Sequence, residues 1–289
     1  MRTLWIFNHY AAPPMGRHQA LAAALTHHGW NTCILAASTS RPPDIHATST
    51  ELDGVSCRWV RSSGYSGNGA GRFANMFTYT ANSTALVVAR NGLPRPDVVW
   101  GSTVHPGAPV AGLAVARRFK TPFIYEVRDL WPETFVAMGR LKRRSPVARV
   151  LYGVESHLAA RADLILSPLG GVGTYFSERY GIDESKFQCI PNGIQAARIV
   201  TSQSVKTHSR RPKTTFTFAG SMGHVNGLDL LLDAFTDHAH GYEDSILNMV
   251  GDGPKRGELE RLVRTRGLED RVRFKGWVPF EQVPAQIAA

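Results

Sequence analysis

Nine consecutive residues, Tyr125-Glu126-Val127-Arg128-Asp129-Leu130-Trp131-Pro132-Glu133, hold the densest set of chemically useful side chains in the sequence. Carboxylates, a guanidinium and an indole follow directly on an apolar run that reads as a buried strand. In an α/β chain that position is the carboxyl edge of a sheet, where ligands bind. There Asp129 or Glu133 can bind hydroxyl groups, Arg128 can neutralise a phosphate, and Trp131 can stack on a sugar ring. The competing reading is a local ion pair between Arg128 and a carboxylate, with Trp131 in the core. His105-Pro106, beyond the strand ending at Trp100, is a further candidate, although a lone histidine in a Gly/Pro loop also suits a structural or solvated role.

Glycine-containing turns carry a different chemistry. Ala12-Pro13-Pro14-Met15-Gly16-Arg17 lies between a strand and a helix, where a helix N-terminus attracts phosphate and Gly16 lets the backbone approach a ligand. It is not a Gly-x-Gly-x-x-Gly, which disfavours dinucleotide binding and leaves a plain strand-to-helix turn open. Gly220-Ser221-Met222-Gly223-His224-Val225-Asn226-Gly227 is placed in the same way, with spacing that lets backbone N–H groups cradle a pyrophosphate. Gly251-Asp252-Gly253-Pro254 follows the next strand, where small residues admit a nucleotide or simply make a turn. Arg140, Lys142, Arg143, Arg144 and Arg149, with Leu141, Val147, Val150 and Leu151 among them, form a basic amphipathic run. It suits an anionic leaflet or the solvated start of a helix.

The elements that must position these groups alternate between short β-rich runs and helical stretches, the rhythm of a parallel sheet. Strands are expected at 3–7, 32–36, 97–100, 123–127, 164–167 and 188–190, with helices at 19–28, 110–118, 147–161 and 173–180, and Gly29 and Gly181 as helix stops. This completes one doubly wound domain over residues 1–195. Residues 196–213 are polar and read as a linker. A second series, over 214–289, has strands at 215–219, 246–250 and 271–275 and helices at 228–235 and 255–266. Open sheets usually have about four to six strands, so three predict further sequence beyond Ala289. Residues 61–72, rich in Gly and Ser, read as a long mobile loop and a candidate lid on the acceptor side.

With 289 residues, 43% apolar and 19% charged, the chain is ordinary globular material of about two domains. The opening apolar run ends at Asn8, far short of the ~20 residues needed to span a bilayer, and lacks a small-residue cleavage site. A cytoplasmic location is therefore expected. Cys33, Cys57 and Cys189 are isolated, which argues against a disulfide framework and a zinc site. Residues 1–195 hold 20 Lys+Arg against 12 Asp+Glu, whereas 196–289 hold 13 against 11. That asymmetry suits an anionic partner or a merely solvated basic face. Nucleic acid is disfavoured, because the basic residues are not clustered with a recognition motif.

Taken in order, Asn8-His9-Tyr10-Ala11, Arg17-His18, Arg128-Asp129-Leu130-Trp131-Pro132-Glu133, Ile190-Pro191-Asn192-Gly193, Gly251-Asp252-Gly253-Pro254 and Arg271-Val272-Arg273-Phe274 strongly resemble retaining glycosyltransferases of the GT-B fold. The likeness is to glycosyltransferase family 4 and, within it, to the fucosamine-transferase-like group. Each motif is weak alone; the ordered set, spread over essentially the whole chain, is specific. The resemblance implies an α/β protein of two facing Rossmann-like doubly wound domains, the second incomplete. A nucleotide-sugar would be co-substrate on the C-terminal domain, with no cofactor and no metal, and the acceptor would lie on the N-terminal domain. It further implies donor contacts from Gly16, Arg17, Gly220, Ser221, Gly223, Asn226, Gly227, Gly251, Asp252, Gly253 and Pro254. Acceptor contacts would come from His105, Trp131 and Asn192, with Arg128, Asp129 and Glu133 as catalytic residues at the reaction centre.

Three departures bear on mechanism. Arg128 stands where many members carry a histidine, and Gly220-Ser221 and Asn226-Gly227 replace the Gly-Arg and Lys-Gly that bring cations to the donor phosphates. The paired glutamates that hold the donor would lie beyond Ala289, so a chain complete at 289 residues is expected not to turn over normally. The reading is transfer from a UDP-sugar to a polyprenyl-pyrophosphate-linked saccharide in cell-surface polysaccharide assembly. The protein would be peripheral to the inner face of the plasma membrane. The alternatives are a nucleotide-sugar epimerase, which needs carboxylates acting on the sugar itself, and a truncated, non-catalytic module binding a glycolipid or partner.

Overall fold

The computed structural model describes residues 1–11, 16–42, 45–65, 70–88, 92–193, 214–279 and 282–288. The chain divides into two compact units, Met1–Gly193 and Ile194–Ala289. The expected linker at 196–213, the turn residues 12–15 and residues 66–69 of the expected loop lie outside the described residues.

In the first unit, β1 (Arg2–Phe7) leads through α1 (Arg17–His27) to β2 (Trp30–Ala37), then to the hairpin β3 (Ser49–Leu52) and β4 (Val55–Val60). The helix α2 (Ala70–Val88) returns the chain to β5 (Val98–Thr103), and α3 (Gly107–Phe119) leads to β6 (Phe123–Val127). There follow α4 (Glu133–Ala137), α5 (Pro146–Arg161), β7 (Leu164–Ser167), α6 (Val172–Tyr180) and β8 (Phe187–Cys189). The eight strands lie in the order β3-β4-β2-β1-β5-β6-β7-β8, with only β3 antiparallel to its neighbour. The central strands are buried on both sides, as the near-continuous apolar run Leu4-Trp5-Ile6-Phe7 requires. One face packs against α2, α3, α5 and α6, around Phe7, Leu35, Tyr79, Phe123, Leu158 and Phe176. The other packs against α1, around Ile6, Ala22, Ile34 and Trp59.

The hairpin, α2 and the short helix α4 were not among the elements the sequence led one to expect. The hairpin turns at Asp53-Gly54, both with positive φ, the conformation that a two-residue hairpin loop of this composition adopts. The loop expected over 61–72 is corrected at its end, because Ala70 opens a 19-residue helix. Its buried positions Asn75, Tyr79 and Ser83 recur every fourth residue, but two of them are polar and hide the helical period from a hydrophobicity reading.

The second unit runs β9 (Thr215–Ala219), α7 (Leu228–Gly241), β10 (Ile246–Val250), α8 (Arg256–Thr265), β11 (Val272–Gly276) and α9 (Val283–Ala288). Its parallel sheet has the order β11-β10-β9. The register aligns Phe218 with Met249 and Met249 with Phe274 on one face, and Thr217, Asn248 and Arg273 on the other. The apolar face joins Leu228, Leu232, Phe235, Leu259 and Val263 of α7 and α8 in a separate core. Among the described residues no helix is long and apolar enough to cross a membrane.

Close packing of α3 on β5 depends on Gly101: a Cβ there would lie 2.6 Å from Pro109 Cα. Overpacking of this kind costs about 1–3 kcal/mol. Gly101→Val is therefore expected to lower the stability of the first unit by that amount in urea unfolding while leaving the second unit's transition in place.

Candidate functional site

The strand order reverses between β1 and β5, since the chain builds outward from β1 to β2 and then returns to β1's other side. Loops diverge at such a point, and the crevice outside the carboxyl ends is where open α/β sheets receive ligands. His9 and His105 each stand two residues past these strands, and they meet there. His105 Nδ1 accepts the Gly107 N–H at 3.0 Å, so its proton sits on Nε2, which faces His9 Nδ1. His9 therefore carries its proton on Nε2, an atom with no hydrogen-bond partner among the described residues.

The His9 ring is stacked between Tyr10 and Tyr79, with centroids at 4.4 and 4.5 Å and nearly parallel planes. His105 meets it edge-on at 4.5 Å. Burial draws His9 down to about 4 and His105 to about 3, with the Arg72 charge pushing in the same direction. Both rings are neutral near pH 7. The long helix α2 supplies three parts of this cluster, Arg72, Asn75 and Tyr79, at the spacing of one helix face. Arg72 donates from Nε to the Tyr10 hydroxyl at 3.3 Å, and the Tyr79 hydroxyl donates to the Leu35 carbonyl at 2.7 Å. Of these residues the sequence singled out His105 as a site candidate and His9 and Tyr10 only within the Asn8-His9-Tyr10-Ala11 motif; Arg72, Asn75 and Tyr79 have no signal without the strand order.

Beside this cluster, Glu126 near the end of β6 is fully buried. Its Oε1 accepts from Arg17 Nε at 2.9 Å and its Oε2 from His18 Nε2 at 2.5 Å. Asn8 Oδ1 accepts the Tyr10 N–H, so Asn8 Nδ2 donates to His18 Nδ1 at 2.7 Å, and the His18 proton is held on Nε2 toward the carboxylate. Burial alone would raise the Glu126 carboxyl; the bonds from His18 and Arg17 outweigh it and bring it down to about 2. The remaining Arg17 nitrogens donate to the carbonyls of Ile190 and Pro191 at 2.7 and 2.8 Å, and Asn192 Oδ1 lies 3.4 Å away.

The other residues singled out in the sequence fall into two groups. Gly16, at φ 118°, opens α1. Arg128 is anchored through its N–H to Thr103 Oγ1 at 2.9 Å. Arg128 and the exposed Asp129 make no ion pair among the described residues, so the local pair considered above does not form. Trp131 packs on Phe135 with centroids 4.6 Å apart. Glu133 is bound by Arg143, by the Tyr152 hydroxyl at 2.6 Å and by Arg179 at 3.8 Å. That network joins α4 to α5 and α6.

In the second unit the two glycine turns pair with each other. Gly220 donates to the Val250 carbonyl at 2.9 Å, Met222 to Asp252 at 2.8 Å, and Lys255 back to Met222 at 3.0 Å. A Cβ on Gly251, at φ 129°, would lie 1.9 Å from the Gly220 oxygen, and one on Gly253 would lie 2.7 Å from the Met222 oxygen. These glycines let one loop lie against the other. The Asn226 amide donates to the Ser221 carbonyl, which holds the turn before α7. The N–H groups of Ser221, Gly223 and His224 have no partner among the described residues. Against the loops lies a cavity of about 620 Å³ at the carboxyl edge, bordered by Gly220, Ser221, Gly251, Asp252, Trp277 and Val283. Small residues, Ser221 with its free backbone donor and one indole make it a place for an anionic, flat ligand.

Residues 16–193 match the family model described as glycosyl transferase 4-like domain, and residues 213–289 match glycosyl transferases group 1. The chain belongs to the glycosyl transferase 4-like family. Its two units have the GT-B fold: a crystal structure of Anabaena HepE in complex with UDP-glucose superposes with TM-score 0.61, at 18% identity, over 100% of this chain and 72% of that one. Among curated relatives, the 2-deoxystreptamine N-acetyl-D-glucosaminyltransferase of Streptomyces fradiae is 23% identical over 68% of this chain and 48% of its own length. A phosphatidylinositol N-acetylglucosaminyltransferase component of Arabidopsis thaliana is 31% identical over 36% and 23%. The chain spans less than half the length of the curated relatives it matches.

Because the Glu126 carboxyl is held at about 2 against an ordinary 4.5, its contribution is present above pH 4.5 and is lost as pH falls through 2. The shift corresponds to about 3 kcal/mol. Glu126→Gln is expected to destabilise the first unit by at least that amount at pH 7, in urea unfolding, with the gap to the parent closing near pH 2.

Proposed function

We propose that this glycosyl transferase 4-like protein moves a sugar from a nucleotide-sugar, a UDP-sugar, to a lipid-linked saccharide at a membrane surface, retaining the anomeric configuration, in cell-surface polysaccharide assembly. The observation that carries the reading is the match of both family models in chain order, one on each compact unit. UDP-glucose is the ligand of the HepE neighbour, and the Arabidopsis relative carries phosphatidylinositol in its name. Both support the choice of substrates.

In this reading the diphosphate lies along the free N–H groups of Ser221, Gly223 and His224, and the nucleoside occupies the cavity beside Trp277. The chain has no Arg or Lys at Gly220-Ser221 or Asn226-Gly227, so leaving-group charge is met by backbone dipoles at these positions. Preorganised dipoles of this kind stabilise developing negative charge without reorganisation. On the first unit, the unpaired Arg128 and Asp129 at the carboxyl edge take the acceptor, and Glu126, Arg17 and His18 keep their loops in place. Retaining transfer then proceeds mainly by positioning, as positive charge develops at the anomeric carbon.

The test is incubation with UDP-sugars and a polyprenyl-pyrophosphate-linked saccharide, with the product's anomeric configuration read by NMR. A retained configuration is expected; an inverted one, or an altered nucleotide sugar formed without acceptor, sinks the proposal. Ser221→Trp, which fills the cavity without changing the backbone, is expected to weaken UDP binding at least tenfold by calorimetry at an unchanged unfolding midpoint.

A further inference from the structure

The first unit presents a basic and apolar face apart from the site described above. Residues 134–154 contain no Asp or Glu, yet hold Arg140, Lys142, Arg143, Arg144 and Arg149. Arg143 is paired with Glu133. The other four are exposed and have no ion-pair partner among the described residues. Ser145 caps α5 by accepting the Ala148 N–H at 3.2 Å, with Pro146 in the first turn. The helix therefore starts sharply and turns Val147 and Val150 outward, 59% and 66% exposed.

Val150 continues into a groove of about 430 Å³ between α3 and α5, walled by Val110, Leu113 and Val154, with Arg117 and His157 among its lining. Gly153 stands in that wall with open space where a Cβ would be. A glycine in mid-helix destabilises it relative to alanine, and here it leaves the groove deeper. Topology sets the position of this face. The helix α3 begins on the loop that leaves β5, and α5 ends directly before the parallel strand β7, so their first turns lie at the carboxyl edge that carries His105 and Arg128.

We infer that this face docks the protein on the surface of an anionic phospholipid bilayer. The inference deepens the membrane part of the proposed function and rests on it. Charge complementarity selects the occupant: unpaired cations around exposed valines match anionic headgroups above an apolar layer. A second copy of the chain fits poorly, because a two-fold contact would set these cations against themselves. The geometry also brings a lipid-anchored acceptor in at the edge where Arg128 and Asp129 wait.

The test is co-sedimentation of the full chain with vesicles of phosphatidylcholine, with and without phosphatidylglycerol. Binding to the anionic vesicles only, weakening as salt rises, is expected. Each cation near such a surface contributes about fivefold in partitioning, so Arg144→Gln with Arg149→Gln is expected to lower it about 25-fold. Val147→Ser with Val150→Ser lowers it further, whereas Arg261→Gln with Arg264→Gln in the second unit leaves it unchanged. Retained unfolding midpoints show that the variants fold. Equal binding by the parent and the Arg144/Arg149 variant, no binding by the parent, or dimerisation that these changes abolish would overturn the inference. The vesicles carry no acceptor and no donor, so failure of UDP binding or of transfer sinks the proposed function separately.

Discussion

A buried carboxylate in a sheet is tolerable only if a cation and well-placed hydrogen-bond donors meet it, and Glu126 sets that requirement for the first unit. Removing one partner from a buried pair leaves an uncompensated charge, which costs about 3–5 kcal/mol. Arg17 and His18, adjacent at the start of α1, answer the two oxygens separately. Their positions in turn hold Asn8, just past β1, and the residues that follow β8, through the carbonyls of Ile190 and Pro191. One charge thus ties together three segments far apart in sequence. Arg17, which the sequence suggested as a donor ligand, has its Nε and both terminal nitrogens engaged within this clamp.

The histidine pair follows from the same edge. Because β1 and β5 are neighbours only through a reversal in strand order, their following loops converge on a spot that no single βαβ unit would create. Neutral His9 and His105 fill it as a hydrogen-bonded, stacked pair, and α2 closes it with Tyr79. Their low proton affinity comes from burial, so they behave near pH 7 as fixed donors and acceptors rather than as titrating groups. The His9 Nε2–H lies inside the protein and is part of the packing around the edge.

Most of the sheet was legible because its strands are short, mostly apolar runs: β1, β6, β7, β9 and β10 fall where those runs lie. Asp53-Gly54 is a strong local hairpin signal, but β3 is half polar and lacks the apolar alternation that marks a strand. The helix α2 was lost for a different reason: its buried face uses Asn75, Tyr79 and Ser83 in place of aliphatics. Long-range chemistry was the least legible. Glu126 and Glu133 stand seven residues apart in one motif, yet one is buried under Arg17 and His18 and the other sits in an ion-pair network with Arg143 and Arg179. Nothing local distinguishes them, because the partners come from positions 109 and 10 residues away in sequence.

The glycines of the second unit have a structural requirement of their own. Gly251 and Gly253 are required because a Cβ would strike the backbone of the preceding loop, with no ligand needed to explain them. That loop pairing has a chemical consequence. By engaging the N–H groups of Gly220 and Met222 internally, it holds the turn in one conformation and leaves Ser221, Gly223 and His224 pointing their donors elsewhere. A cradle made of backbone is rigid and carries only partial charges, so it favours a diphosphate by geometry more than by net charge. With no Arg or Lys at Gly220-Ser221 or Asn226-Gly227, the cradle in the proposed reaction relies on the stiffness of the two paired loops, and stiffness is what the close glycine contact supplies.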